Sequence, residues 1–221
     1  MADRACALCG SPDRPPYRAP AAEMAPDLDL RPGEPARSTM RFWIQHCSGC
    51  GAYAPDLTVL PLAARAVLDS PAYAVPDGPA APFLRWATIA EATEQQPAAA
   101  EAMLQAAWIA DDTGLPADAR TWRRAAIALW GAPSAAEDAL RQADILRRAG
   151  DFAAATVLLN GVHPQDDSVR AILAFQRDRI AAQDDARHSL SSALRPPARR
   201  PHASHGKAPA PRSLWSRLFG A

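Results

Sequence analysis

From residue 83 onward, apolar side chains recur at the three- and four-residue intervals of helices packed on one face. Phe83, Trp86, Ala87 and Ala90 predict a first helix that stops before Pro97. A second runs from about Ala98 to Asp112, with Leu104 and Trp108 one turn apart and Gly114 ending it. Pro116 begins a third, carrying Trp122, Ala126, Leu129 and Trp130, and Gly131 closes it. Ser134 and Glu137 have the capping-box spacing and predict the start of a fourth helix that reaches Arg148. Gly150 breaks it. Asp151 and Phe152 open a fifth that ends near Asn160 and Gly161, and a sixth, from about Asp167 to Ala182, carries Val169, Ile172, Leu173 and Ile180.

The N-terminal third has another pattern. Between Arg41 and His46, Phe42 and Ile44 alternate with Trp43 and Gln45, as in a strand. Pro61 to Pro82 is punctuated by prolines and reads as a boundary, although Leu62 to Leu68 has the composition of a short helix. The expected fold is mainly α: a small zinc-ribbon-like β module at 1–62, a linker at 63–81 and an antiparallel helical-hairpin array at 82–189. A disordered basic linker at 190–212 and a short amphipathic segment at 213–221 would follow.

Composition narrows the class. The chain has 221 residues, 48% of them hydrophobic and 22% charged, which suits one or two soluble domains and excludes collagen, a coiled-coil rod or a wholly disordered polymer. No apolar stretch is long enough to span a membrane, and Met1 to Gly10 lacks the core of a secretory signal, so a cytoplasmic location is expected. The net charge of zero hides an asymmetry. Arg195, Arg199, Arg200, Lys207, Arg212 and Arg217 face no acid after residue 191, leaving 18 basic and 24 acidic residues before it. Five prolines in that basic tail deny it regular hydrogen bonding. At its end Leu214, Trp215, Leu218 and Phe219 fall on one side of a notional helix.

The candidate chemistry lies in two copies of one motif, Cys6-Ala7-Leu8-Cys9-Gly10 and Cys47-Ser48-Gly49-Cys50-Gly51, which use all four cysteines. Two residues between cysteines let the chain turn both sulfurs toward one ion, and the following glycine suits the positive φ of that turn. Four thiolates make a closed tetrahedral Zn2+ site with no open position for catalysis. The 37 residues between the halves form a long insert, tolerable because closure entropy grows slowly with length. Pro12, Pro15, Pro16, Pro20, Pro26, Pro32 and Pro35 make that insert an irregular surface loop in expectation. Redox or sensing thiols, a catalytic metal, and His46 as a substitute ligand are the competing readings. Residues 1–62 hold six arginines and seven acids, so nucleic-acid binding is disfavoured.

Helix, glycine turn and helix occur at Gly114 and again at Gly150, 36 residues apart. The stretch Leu146-Arg147-Arg148-Ala149-Gly150-Asp151-Phe152-Ala153-Ala154-Ala155 resembles the middle of a tetratricopeptide repeat (TPR). By that resemblance Gly150 makes the turn, Phe152 anchors it and Leu159 packs next. The first hairpin lacks an aromatic after Gly114, and Gln183 stands where a third glycine is expected. Together, the paired CxxCG knuckles, Ala106 to Asp112 and Leu146 to Ala155 resemble an uncharacterised bacterial family that joins such knuckles to TPR-like hairpins. The resemblance implies architecture and no reaction.

No phosphate loop, nucleophile elbow or HExxH pair occurs, and the remaining histidines are isolated. Asp111 and Asp112 sit at a helix C-terminus, where negative charge opposes the macrodipole. They are either a solvated turn or the acidic rim of a groove that accepts an arginine-containing segment. The function expected is a non-enzymatic zinc-binding adaptor or scaffold that docks a protein or peptide. Asp111, Asp112, Trp215, Leu218 and Phe219 are its candidate contacts. The basic tail would fold onto the acidic body, bridge to a partner or rest weakly on a membrane surface. A thiol- or zinc-dependent redox sensor or enzyme is the alternative, and a nucleic-acid-associated ribbon the third choice.

Overall fold

The computed structural model describes residues 4–164 and 166–194; the basic tail, with Trp215, Leu218 and Phe219, lies outside them. The fold is mainly helical, with one small antiparallel sheet near the N-terminus. Strands β1 (Gln45–His46) and β2 (Tyr53–Ala54) pair with Gln45 opposite Ala54 and His46 opposite Tyr53. The strand expected over Arg41–His46 is thus confined to its last two residues. Arg37–Phe42 instead forms a 3-10 segment, and Pro55, which has no N–H to extend the ladder, directly follows β2.

Seven of the helical elements follow in order: α1 (Arg65–Leu68), α2 (Ala81–Ala92), α3 (Gln96–Asp112), α4 (Pro116–Trp130), α5 (Ala136–Arg148), α6 (Phe152–Asn160) and α7 (Asp167–Ala181). A short α8 (Leu190–Leu194) comes last among the described residues. Consecutive helices pack on one another, α2 on α3, α3 on α4 and α5 on α6, with α7 against both α5 and α6. Helix α3 is central and buried nearly all round. Ala99, Ala100, Ala102, Ala106, Ala107 and Ala110 let its neighbours approach closely. Pro97 and Pro116 sit in the first turns of α3 and α4, where a missing N–H costs nothing. The capping box expected at Ser134 and Glu137 does not form. Helix α5 starts at Ala136, and Ser134 Oγ donates to Asp138 instead (2.9 Å).

The turns after α2, α3, α5 and α7 share one device. Residues at positive φ, Gly114 (+73°) and Gly150 (+81°), are each followed by a residue whose N–H reaches back to a carbonyl five positions earlier. Leu115 donates to Ala110 O (2.8 Å) and Asp151 to Leu146 O (2.9 Å). Glu94 (+60°) and Gln183 (+51°) adopt the same conformation without being glycine, so the third expected turn is present at Gln183.

The metal-motif region and the helices share a core. Cys6, Leu8, Cys47, Ala52, Ala54 and Leu57 pack with Trp86, Ala87, Ile89 and Ala90 of α2 and with Ala99 and Ala102 of α3. Residues 63–81 take part, through buried Ala64, Val67 and Tyr73. The Tyr73 hydroxyl donates to Gly51 O (2.8 Å), and Arg65 to Leu8 O (2.9 Å).

The insert departs most from its expected character. Leu28, Ala36 and Met40 are buried, as are the charged residues Asp27, Asp29 and Arg31. Its second half, residues 26–40, is a strap across the body, whereas residues 12–25, none of them buried, form the expected surface loop. Met40 joins Phe83, Leu104, Trp108 and Ile145 in a second core cluster. At the far end Leu28 N–H donates to His188 O (3.0 Å) and Leu190 N–H to Pro26 O (2.8 Å), tying the strap to the segment after α7. Among the described residues no helix is long and apolar enough to cross a membrane.

Candidate metal centre and the charged seam beside it

The two cysteine turns superimpose in their hydrogen bonding. Cys6 N–H donates to Ser11 O and Cys47 N–H to Ala52 O, both at 2.9 Å. Gly10 N–H returns to Cys6 O (2.9 Å) and Gly51 N–H to Cys47 O (2.8 Å). Gly10 and Gly51 have φ of +74° and +76°, a region that disfavours any Cβ, which explains the glycine after each second cysteine. A further glycine had escaped the sequence reading. A Cβ on Gly49 would lie 2.0 Å from Ser11 Oγ and 3.1 Å from Cys9 Sγ, so only glycine lets the two turns close on each other.

That closure brings all four sulfurs within 4.8 Å of one another. Cys6 Sγ is 3.8 Å from Cys50 Sγ, and Cys9 Sγ is 3.5 Å from Cys47 Sγ. Zinc–sulfur bonds of about 2.3 Å at tetrahedral angles would separate the sulfurs by about 3.8 Å, so the arrangement fits one ion. Cys6 and Cys47 are buried, Cys50 is half-buried and Cys9 is exposed. Burial pushes the Cys50 thiol up to about 12 and raises that of Cys6. Hydrogen bonding from Ser11 brings Cys9 down to about 6. A divalent cation would offset the desolvation of thiolates held this way. His46 does not join the sulfurs; its ring stacks on Tyr53 with centroids 4.5 Å apart.

The other candidate residues, Asp111 and Asp112, stand at the end of α3 and are engaged by arginines. Arg123 of α4 grips Asp111 through both terminal nitrogens, and Arg148 of α5 adds a bond to Asp111 Oδ2 (2.7 Å). Burial would raise the Asp111 carboxyl, but the Arg123 hydrogen bond and the charges of Arg148 and Arg31 hold it below the usual carboxylate range. Arg31, from the strap, pairs with Asp112. Two residues earlier, Asp29 is fully buried and accepts from Trp108 Nε1 (2.8 Å), with Arg148 Nη1 at 3.5 Å from the same oxygen. Arg141 Nε donates to Asp29 O (3.0 Å) while its Nη2 pairs with Glu101 on α3 (2.8 Å). Farther along α5, Arg147 holds Asp144, whose carboxyl burial pushes up to about 6.

The sequence thus shows the four-cysteine cluster and not the seam. Its signal lay in Asp27-Leu28-Asp29-Leu30-Arg31, the one place in the Pro-rich insert where charged and apolar residues alternate. No family model, curated protein or solved structure matches the chain.

Proposed function

We propose that the protein is a zinc-binding, non-enzymatic adaptor or scaffold whose helical surface docks a protein or peptide. The observation that supports this most directly is the four-sulfur cluster built into one core with α2 and α3. A metal held there is closed to substrate and serves as a staple. Helical-hairpin stacks bury one face and leave another for partners. A bacterial cytoplasmic setting, where thiols stay reduced, belongs to the same reading, as does its likeness to knuckle-plus-hairpin proteins. The basic tail would add a contact to the acidic body or to a partner through Trp215, Leu218 and Phe219. Metal analysis of the purified protein tests this reading, with one tightly bound zinc per chain expected. Proteomics on the captured intact protein should then find a stable partner. A metal-free, fully folded sample would defeat it.

One observation favours a second reading, a thiol-based sensor. Cys9 is exposed, and Cys47 Sγ lies 3.5 Å away. Titration with a mild oxidant separates the two: rapid zinc release with loss of two thiols supports a sensor, and resistance supports the staple.

A further inference from the structure

We propose that the face shared by α3 and α5 is a peptide-binding groove, that the Asp27–Arg31 turn is its resident self-ligand, and that its external ligand is a peptide with an acidic residue, one intervening residue and an arginine. This rests on the adaptor reading and names the docking surface and partner chemistry for it.

The groove is made of groups suited to such a peptide. Trp108 Nε1 and Arg148 converge on one carboxylate, that of Asp29. Arg141 holds the main-chain carbonyl of the same residue and is itself fixed by Glu101 across from α3. Asp112, half exposed at the mouth, receives the guanidinium of Arg31. A donor pair for an acid, a donor for a peptide carbonyl and an acceptor for an arginine follow one another along a single three-residue stretch. They come from helices distant in sequence from that stretch.

The resident fits imperfectly. Leu30 sits at φ +67°, a conformation that an L-residue with a branched side chain avoids, and it is half exposed. Arg148 Nε and Nη1 are buried yet make no hydrogen bond among the described residues, because Asp29 Oδ2 stops short of Nη1. Strain in the ligand and unused donors in the groove are the conditions under which a better peptide displaces a tethered one. The tether favours the resident through its high effective concentration, so displacement needs an improved fit or a weakened resident.

The test uses the full chain with Asp29→Ala and Arg31→Ala together, and a fluorescein-labelled synthetic peptide spanning residues 23–36. Anisotropy should show micromolar binding to the double variant and about a hundredfold weaker binding to the wild type, whose groove is occupied. The same peptide with both alanines should not bind. A peptide with glycine in place of Leu30 should bind about fivefold tighter, since it relieves the left-handed strain. Absence of binding to a folded double variant, or equal binding of the peptide and its double-alanine form, would overturn the proposal. If the double variant is unfolded by circular dichroism, Arg31→Ala alone is used, as its Asp112 partner is half solvated. Unfolding of that variant too would make the turn an obligatory part of the fold and would also overturn it. A normal zinc content with no peptide binding would leave the adaptor reading standing while removing this groove.

Discussion

Between Arg4 and Ala54 the chain forms one six-residue 3-10 segment and two strands of two residues each, whereas from Ala81 to Ala181 it forms helices of 9 to 17 residues separated by short turns. The first region has few ladder hydrogen bonds and is held by side chains: sulfurs where the two ends of the insert meet and carboxylates at its middle. The second is held by packed faces, with alanine-lined α3 at its centre. Order in the N-terminal region therefore depends on specific chemical groups, each of which can be removed singly. In the helical region it is spread over many small contacts. The insert joins the two regimes, since it begins and ends at the cysteine turns and its strap contacts Trp108 of α3 and Arg141 and Arg148 of α5.

The largest effect should come from the metal. Structural zinc contributes on the order of 10 kcal/mol to small sites, comparable to the whole stability of a domain. Removing it with a chelator, or replacing Cys47 by serine, should abolish hydrogen-exchange protection around both cysteine turns and loosen α2, which shares their core. Helices α5, α6 and α7 have a cluster of their own, built on Leu140, Ala143, Leu159 and Leu173, and should stay protected. Equal loss of protection in both regions would mean that the contrast between them is false.

Next in size is the loss of a buried charge. Asp29→Ala leaves Arg148 and Trp108 Nε1 facing an apolar methyl, and breaking a buried pair from one side costs about 3–5 kcal/mol. Urea unfolding should show a shift of that order, and Asp29→Asn a smaller one, because the amide oxygen still accepts from Trp108. A shift below about 1 kcal/mol, the size of an exposed ion pair, would place the strap outside the cooperative unit.

Gly49→Ala probes the metal region alone. The added methyl meets Ser11 Oγ and Cys9 Sγ, and overpacking of this kind costs about 1–3 kcal/mol. Zinc affinity should fall while the helical signal in circular dichroism is kept, and adding Ser11→Gly should restore part of the affinity. Unchanged affinity in Gly49→Ala would show that the two turns can separate and still bind.

The sequence showed the two regions unequally. Helix periodicity located α3, α4, α6 and α7 to within about two residues, because α3, α4 and α6 pair an apolar face with a proline or glycine at their ends and α7 pairs one with an aspartate cap. The four clustered cysteines were legible because CxxCG is a local geometry. The strap was not, because what seats Asp29 is Trp108 and Arg148, residues 79 and 119 positions away, and no local pattern encodes that meeting. Proline marks the insert as irregular backbone, which predicts a surface position, and only residues 12–25 keep to it. Carboxylates and guanidinium groups that satisfy one another inside the protein remove that equivalence. Gly49 was passed over for a related reason: its need arises from the opposite turn.

The smallest expected effect lies at the helix turns. Gly150 and Gln183 make the same turn, with the following N–H reaching back to Leu146 O and Arg179 O at 2.9 Å each. Only one of them is glycine. At positive φ a Cβ crowds the backbone, so Gly150→Ala should cost about 1 kcal/mol. Gln183→Gly should relieve the same crowding but also enlarge the unfolded ensemble, which offsets roughly half of the gain. A net stabilisation of about 0.5 kcal/mol, or a rise of one to two degrees in Tm, is expected for a chain of this size. The asymmetry follows from the helical region's mode of order: many weak contacts tolerate one strained turn, as they do at Glu94 as well. A loss of stability in Gln183→Gly would show that the glutamine side chain contributes something at that turn beyond the backbone conformation it shares with Gly150.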